Sequence, residues 1–212
     1  MSPRKSDSRE RMISSAAELL GEQGAGATSI DRVLAHSGAP RGSVYHHFPE
    51  GRAQLIDEAV AFAGDVMARR IAAARAGDPV AAIDAFFTLW RERMIGSGFR
   101  SGCPVVAAAV AADEEGPRWA DSAAAVFGRW QEDLSALLMT GGLPEARGRR
   151  LAAFILGAVE GAVVLCRAER STAPLDAAAA EIHDLLVHAL PDRPDPAADA
   201  GSDTDAGENS PS

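Results

Sequence analysis

Five prolines do most to limit what this chain can fold into. Pro40, Pro79, Pro104, Pro117 and Pro144 each stand at the start of a stretch with helical apolar spacing, and glycine follows the end of several such stretches. Proline is tolerated in the first turn of a helix, where its missing N–H has no intrahelical partner. Glycine takes the left-handed conformation that ends one. Alanine, the best helix former, is abundant, and β-branched runs are few. Together these features predict an all-α chain of about nine helices, with 47% hydrophobic residues to supply a core.

Ser2 to Ser6 reads as a flexible basic arm, after which Asp7 or Ser8 caps a first helix whose Ile13, Ala16, Ala17 and Leu20 share one face. Thr28 or Ser29 caps a second helix, and Ser37-Gly38 breaks it. A short third helix runs from Pro40 to about His47, with Val44 and Phe48 pointing inward. Long helices follow over about Arg52 to Ala76 and Pro79 to Ile95. A short apolar helix, Pro104 to Ala112, is expected to be buried all round. Helices from Pro117 to about Met139, Pro144 to about Arg170 and Leu175 to Leu190 complete the set. Residues 191–212 hold no large apolar side chain, so a disordered acidic tail is expected there.

The first helices carry the functional signal. The segment Thr28 to Phe48, TSIDRVLAHSGAPRGSVYHHF, is a helix, a glycine turn and a second helix dense in groups that touch nucleic acid: Arg41, Gly42, Ser43, Tyr45, His46 and His47. A helix pair of this size can place one helix in a DNA major groove. The net charge of −9 argues the other way, but its distribution is uneven. Residues 1–52 hold seven basic side chains and six acids, whereas the tail after Leu190 holds six acids and one arginine. A domain so weakly basic must bind through a few well-aimed contacts from two copies of the chain.

The stretch SIDRVLAHSGAPRGSVYHHFPEGRAQLI resembles the DNA-binding segment of TetR-type repressors, most specifically at Tyr45-His46-His47-Phe48. The similarity runs from about Arg9 to Ile56. Most of that family place a basic residue three after the Phe. Here Gly51 stands there and Arg52 follows, an extra residue that resembles the LmrA/YxaF-like subgroup, as does Gly102-Cys103-Pro104-Val105. The resemblance implies an N-terminal helix-turn-helix domain over residues 1–52 and a helical ligand-binding and dimerisation domain over 53–190. It implies that Arg41 and Ser43 reach base edges or phosphate and that Gly42 lets the backbone approach. Tyr45, His47 and Arg52 would meet phosphate, helped by the helix start at Thr28 and Ser29.

In the second domain, Phe87, Trp90, Met94, Cys103, Phe127, Trp130 and Glu160 are candidates for a ligand pocket, although the aromatics also suit an ordinary core. Glu160 interrupts an apolar helix. It either meets a cationic or hydroxylated ligand or lies on the rim of a subunit interface. Gly157 and Gly161 allow close helix approach. With Ile182, Leu185 and Leu186 they suggest a homodimer contact through the last two helices, as in the family. Cys103 and Cys166 lack both metal-ligand spacing and an environment that would lower a thiol pKa, so they read as buried thiols before redox sensors.

No catalytic signature appears, and no metal or cofactor is expected. The N-terminus lacks a signal-peptide pattern, and the apolar run Leu151–Cys166 is too short to span a bilayer, so a cytoplasmic protein without a membrane partner is expected. The expected partners are double-stranded operator DNA, a small-molecule effector and a second copy of the chain. The expected function is a ligand-responsive transcriptional regulator, with repression favoured over activation. The alternative is a helical carrier or enzyme whose N-terminal bundle is only structural.

Overall fold

Two hydrophobic cores share one long helix. The computed structural model describes residues 3–74, 77–112 and 114–191, with side chains from residue 7 onward, and its regular elements are all helical. They are α1 (Pro3–Gln23), α2 (Ile30–Ser37), a 3-10 turn (Arg41–Ser43), α3 (Val44–His47), α4 (Arg52–Ala74), α5 (Pro79–Gly96), α6 (Pro104–Ala109), α7 (Gly116–Thr140), α8 (Glu145–Glu169) and α9 (Ala173–Ala189). The acidic tail lies outside the described residues from 192 onward, as do Arg4 and Lys5 of the basic arm in their side chains.

Local chemistry accounts for most boundaries. Ser29 caps α2 by accepting the Arg32 N–H, and Gly38 ends it at φ 64°, donating to Leu34 O. Asp78 caps α5 through the Ala81 N–H at 3.1 Å, with Pro79 behind it in the first turn. Arg170 ends α8 in the left-handed conformation at φ 52°. Several boundaries differ from the sequence expectation, the third helix opening as a 3-10 turn with Pro40 outside it and α9 starting already at Ala173. Helix α1 begins at Pro3, so the proposed arm is already helical. Pro144 sits at the cap of α8, outside the helix. Helix α6 stops at Ala109, and Val106, Ala107 and Ala109 are only half-buried.

The smaller core gathers Met12, Ala16, Val33, Leu34, Val44, Phe48, Leu55 and Ala59. The larger one contains Ile56 and Val60, the neighbours of those last two on α4, together with Trp90, Trp119, Trp130, Ile155 and Ile182. Successive helical residues point about 100° apart, so adjacent positions on α4 face different cores. Leu19 and Leu20 divide in the same way at the end of α1. Beyond residue 52, α4 thus contributes one face to each core.

Helices α4 and α7 are held tightly. Trp130 Nε1 donates to Gly64 O at 3.0 Å, and a Cβ at Gly64 would lie 2.9 Å from both methyls of Val126. Arg118 bridges Asp57 and Glu50, and Arg129 reaches Asp65. Helix α8, with 25 residues, is long and apolar enough by composition to cross a membrane, more so than Leu151–Cys166 suggests. Its inner face is buried in the larger core, where it packs on α7 and α9.

Candidate nucleic-acid interface and neighbouring cavities

Helix α3 has only four residues, too few to be stable alone, so tertiary packing must hold it. Val44 and Phe48, 1% and 0% exposed, plug the smaller core at either end. Between them Tyr45 and His46 are forced outward, and Tyr45 is 69% exposed. An aromatic ring left that open on a four-residue helix gains nothing from folding. The preceding turn presents Arg41, whose guanidinium meets Asp31 at 2.7 Å on an exposed surface, and Ser43, whose hydroxyl donates to Pro40 O at 2.6 Å. A Cβ at Gly42 would meet nothing within 4 Å, so the backbone there is open to approach. His47 is half-buried, its ring edge-on to Phe48 and His46.

Two residues expected at this surface are turned inward. Thr28 is 1% exposed; its hydroxyl donates to Gly24 O at 2.8 Å and its N–H to Ala25 O. Ser29, exposed, is the residue that caps α2. Arg52 donates from Nε to Thr28 O at 2.9 Å and from its terminal nitrogen to Ala25 O, and its guanidinium stacks 4.8 Å from the Trp119 ring. Gly51 takes φ 69° and closes the turn by donating to Phe48 O, so α4 begins with Arg52 aimed at the loop before α2. Arg52 is thus a strut between the loop before α2, its own helix α4 and α7.

The pocket candidates divide among three cavities. Trp90, Cys103 and Trp130 line a cavity of about 550 Å³ between α1, α4 and α5. Its other walls, missed in the sequence, include Ser14, Ala17 and Glu18 of α1 and Phe62, Met67 and Arg70 of α4. Trp90 Nε1 is buried without a hydrogen-bond partner, alone among buried side-chain nitrogens and oxygens of the described residues. Cys103 and Glu160 line a second cavity, of about 350 Å³, between the end of α1, α6 and α8. Met94 and Phe127 line neither, and Phe87 lines a third cavity, of about 240 Å³, between α5 and α9. Phe87 and Met94 belong to the core face of α5, and Phe127 packs half-buried, edge-on to Trp130.

Burial sets the chemistry of these groups. Glu160 titrates at about 7, raised by desolvation and partly restrained by the hydrogen bond it accepts from the Cys103 thiol. The Cys103 thiol is pushed well up by burial and by the nearby Glu160 carboxylate, and Cys166 is raised by burial. Both cysteines are therefore protonated at neutral pH and poor nucleophiles. Among the described residues no group of three His, Cys, Asp or Glu side chains could hold a metal ion.

The dimer candidates also separate. Ile182 and Leu186 are buried within their own chain, 1% and 0% exposed, because they face α5 and α8. Leu185 is half-buried. Gly157 and Gly161 lie on the outer face of α8, where added Cβ atoms would meet nothing. Phe154, Val164 and Leu165 flank them, and Val187 of α9 is another large exposed apolar residue.

A helix-turn-helix head packed on a helical body, with cavities where they meet, is the architecture of a DNA-binding regulator. Residues 12–59 match the bacterial regulatory proteins of the tetR family, and residues 79–181 match the LmrA/YxaF-like transcriptional regulator C-terminal domain. The uncharacterized HTH-type transcriptional regulator Rv0196 of Mycobacterium tuberculosis is 42% identical over 87% of this chain and 97% of its own. The HTH-type transcriptional regulator LmrA of Bacillus subtilis is 28% identical, covering 85% of this chain and 97% of its own. A TetR transcriptional regulator from Chloroflexus aurantiacus superposes with a TM-score of 0.70 at 28% identity, covering 89% of this chain and 98% of its own. The chain belongs to the TetR family of transcriptional regulators, in its LmrA/YxaF-like branch.

Proposed function

We propose that this protein is a homodimeric repressor that binds a pseudo-palindromic operator and leaves it when a small molecule occupies the cavity between α1, α4 and α5. The observation that carries the reading is the outward set Arg41, Tyr45 and His46, held by the buried pair Val44 and Phe48. Phosphate would replace Asp31 as the partner of Arg41, and Tyr45 and Ser43 would fix the register of α3 in the groove. A single four-residue helix contacts few base pairs. Two-fold symmetry doubles the contacts, and the apolar outer face of α8 and α9 offers the surface for it.

The larger cavity suits an effector because its walls include α1, which belongs to the DNA-binding core, and α4, which belongs to both cores. A ligand there need favour the non-binding state by only about 2.7 kcal/mol to weaken the operator complex about 100-fold. An amphipathic molecule fits the lining, where Trp90 and Phe62 stand beside Glu18, Arg70 and Arg93. The reading assigns no catalysis and a cytoplasmic location. Selection of bound sequences from a random DNA pool, followed by titration of the selected site, tests it. The Arg41→Ala/Tyr45→Ala double variant should abolish binding while the protein stays helical and dimeric. Retained specific binding in the double variant would refute it.

A further inference from the structure

We infer that the second cavity, between the end of α1, α6 and α8, is a separate binding site for a small organic cation, with the Glu160 carboxylate as its counter-ion. The cavity holds about 350 Å³, enough for a compact amine or amidine. Its walls are mainly glycine, alanine and valine. Among the described residues, the charged and titratable groups lining it are Glu160, Cys103 and Arg167. Arg167 does not neutralise Glu160. Its two terminal nitrogens donate to Gly21 O at 2.9 Å and Glu22 O at 2.7 Å, so it serves the end of α1. It also stands seven residues further along α8, about 10.5 Å away along the axis.

Glu160 therefore faces a largely apolar space, with the Cys103 thiol as a hydrogen-bond partner. An apolar side chain at this position would cost less. A carboxylate kept beside a cavity large enough for a ligand is explained by a charge that enters with the ligand. Desolvation, which raises the Glu160 pKa to about 7, would be offset once a cation lies against it. The site is distinct from the cavity carrying Trp90, though Cys103 touches both. It does not depend on the proposed effector site, and its test uses no DNA.

The test is calorimetric titration of the full chain with benzamidinium, using neutral benzamide as control. One benzamidinium per chain should bind, and benzamide should not. Affinity should fall about tenfold from pH 8 to pH 6 as Glu160 takes up a proton, while the probe keeps its charge. Glu160→Gln should lose at least tenfold in affinity and the pH dependence with it, and its helical circular dichroism should match the parent. Trp90→Phe, in the other cavity, should bind benzamidinium as the parent does. Absence of saturable binding, equal binding by Glu160→Gln, or loss of binding only in Trp90→Phe would each overturn the inference.

Discussion

Replacing Arg52 with alanine separates two roles that the same side chain could play. The guanidinium gives hydrogen bonds to Thr28 O and Ala25 O and stacks on Trp119. Hydrogen bonds from charged donors contribute about 1.5–3 kcal/mol each, and a partly exposed cation–π contact about 0.5–1 kcal/mol. Because Arg52 is only half-buried, water recovers part of this, and a net loss of about 3 kcal/mol is expected. For a domain of this size that is a fall in Tm of roughly 6–12 °C, to be read by thermal unfolding at fixed protomer concentration.

The second measurement is the salt dependence of operator affinity. Each phosphate contact contributes about −0.9 to the slope of log K against log salt. Arg52→Ala should leave that slope unchanged, because its guanidinium is spent inside the protein. Arg41→Ala should flatten it by about 0.9 per half-site, with little change in Tm, since its pairing with Asp31 is exposed. An unchanged Tm in Arg52→Ala, together with a slope flattened as by Arg41→Ala, would refute the strut.

Three further outcomes are expected. Gly21→Ala places a Cβ 2.5 Å from the backbone oxygen of Gly102, which cannot move aside as a side chain would; despite a helix-propensity gain of about 1 kcal/mol it should destabilise by about 1–3 kcal/mol, read by chemical denaturation. Phe154→Asp with Leu165→Asp should yield a folded monomer in sedimentation, while Ile182→Asp should unfold the chain, because Ile182 is core; a folded, monomeric Ile182→Asp would contradict that assignment. The folded-state pKa of Glu160 is raised to about 7, so the stabilisation of its protonated form is complete below about pH 4.5 and lost as pH rises through 7. Glu160→Gln should thus be more stable than the parent by about 2–3 kcal/mol at pH 8 and nearly equal to it at pH 4.5; a gain independent of pH would argue against the shift.

Much of the architecture is legible in the one-dimensional pattern, and Val44 and Phe48 show why. Their spacing of four puts both on one side of any helix, and that alone dictates that Tyr45 and His46 point away. Capping at Ser29 and Asp78 and the left-handed Gly38 are equally local, settled by side chains within three or four residues. The inward turn of Arg52 is different. Gly51 announced a departure in the sequence, but the guanidinium's acceptors lie 24 and 27 residues back, and Trp119 is 67 residues ahead.

The two cavities and the dimer face needed the same long-range information. Periodicity marks the apolar side of a helix but does not say whether a given apolar residue meets its own chain, a void or a second subunit. Ile182, Leu186 and Met94 suit either role by composition, and the packing of α5, α8 and α9 makes them core. Cys103 and Glu160 share one cavity, and Trp90 lines another, because α6 crosses beneath the end of α1. The sequence by itself determined the helices, the capped ends at Ser29, Gly38 and Asp78, and the outward set on α3, since these depend on hydrogen bonds and sterics within a turn or two. Tertiary structure alone decided which polar groups were spent internally and which carboxylate was left facing an apolar space. Those outcomes depend on partners brought together from distant parts of the chain.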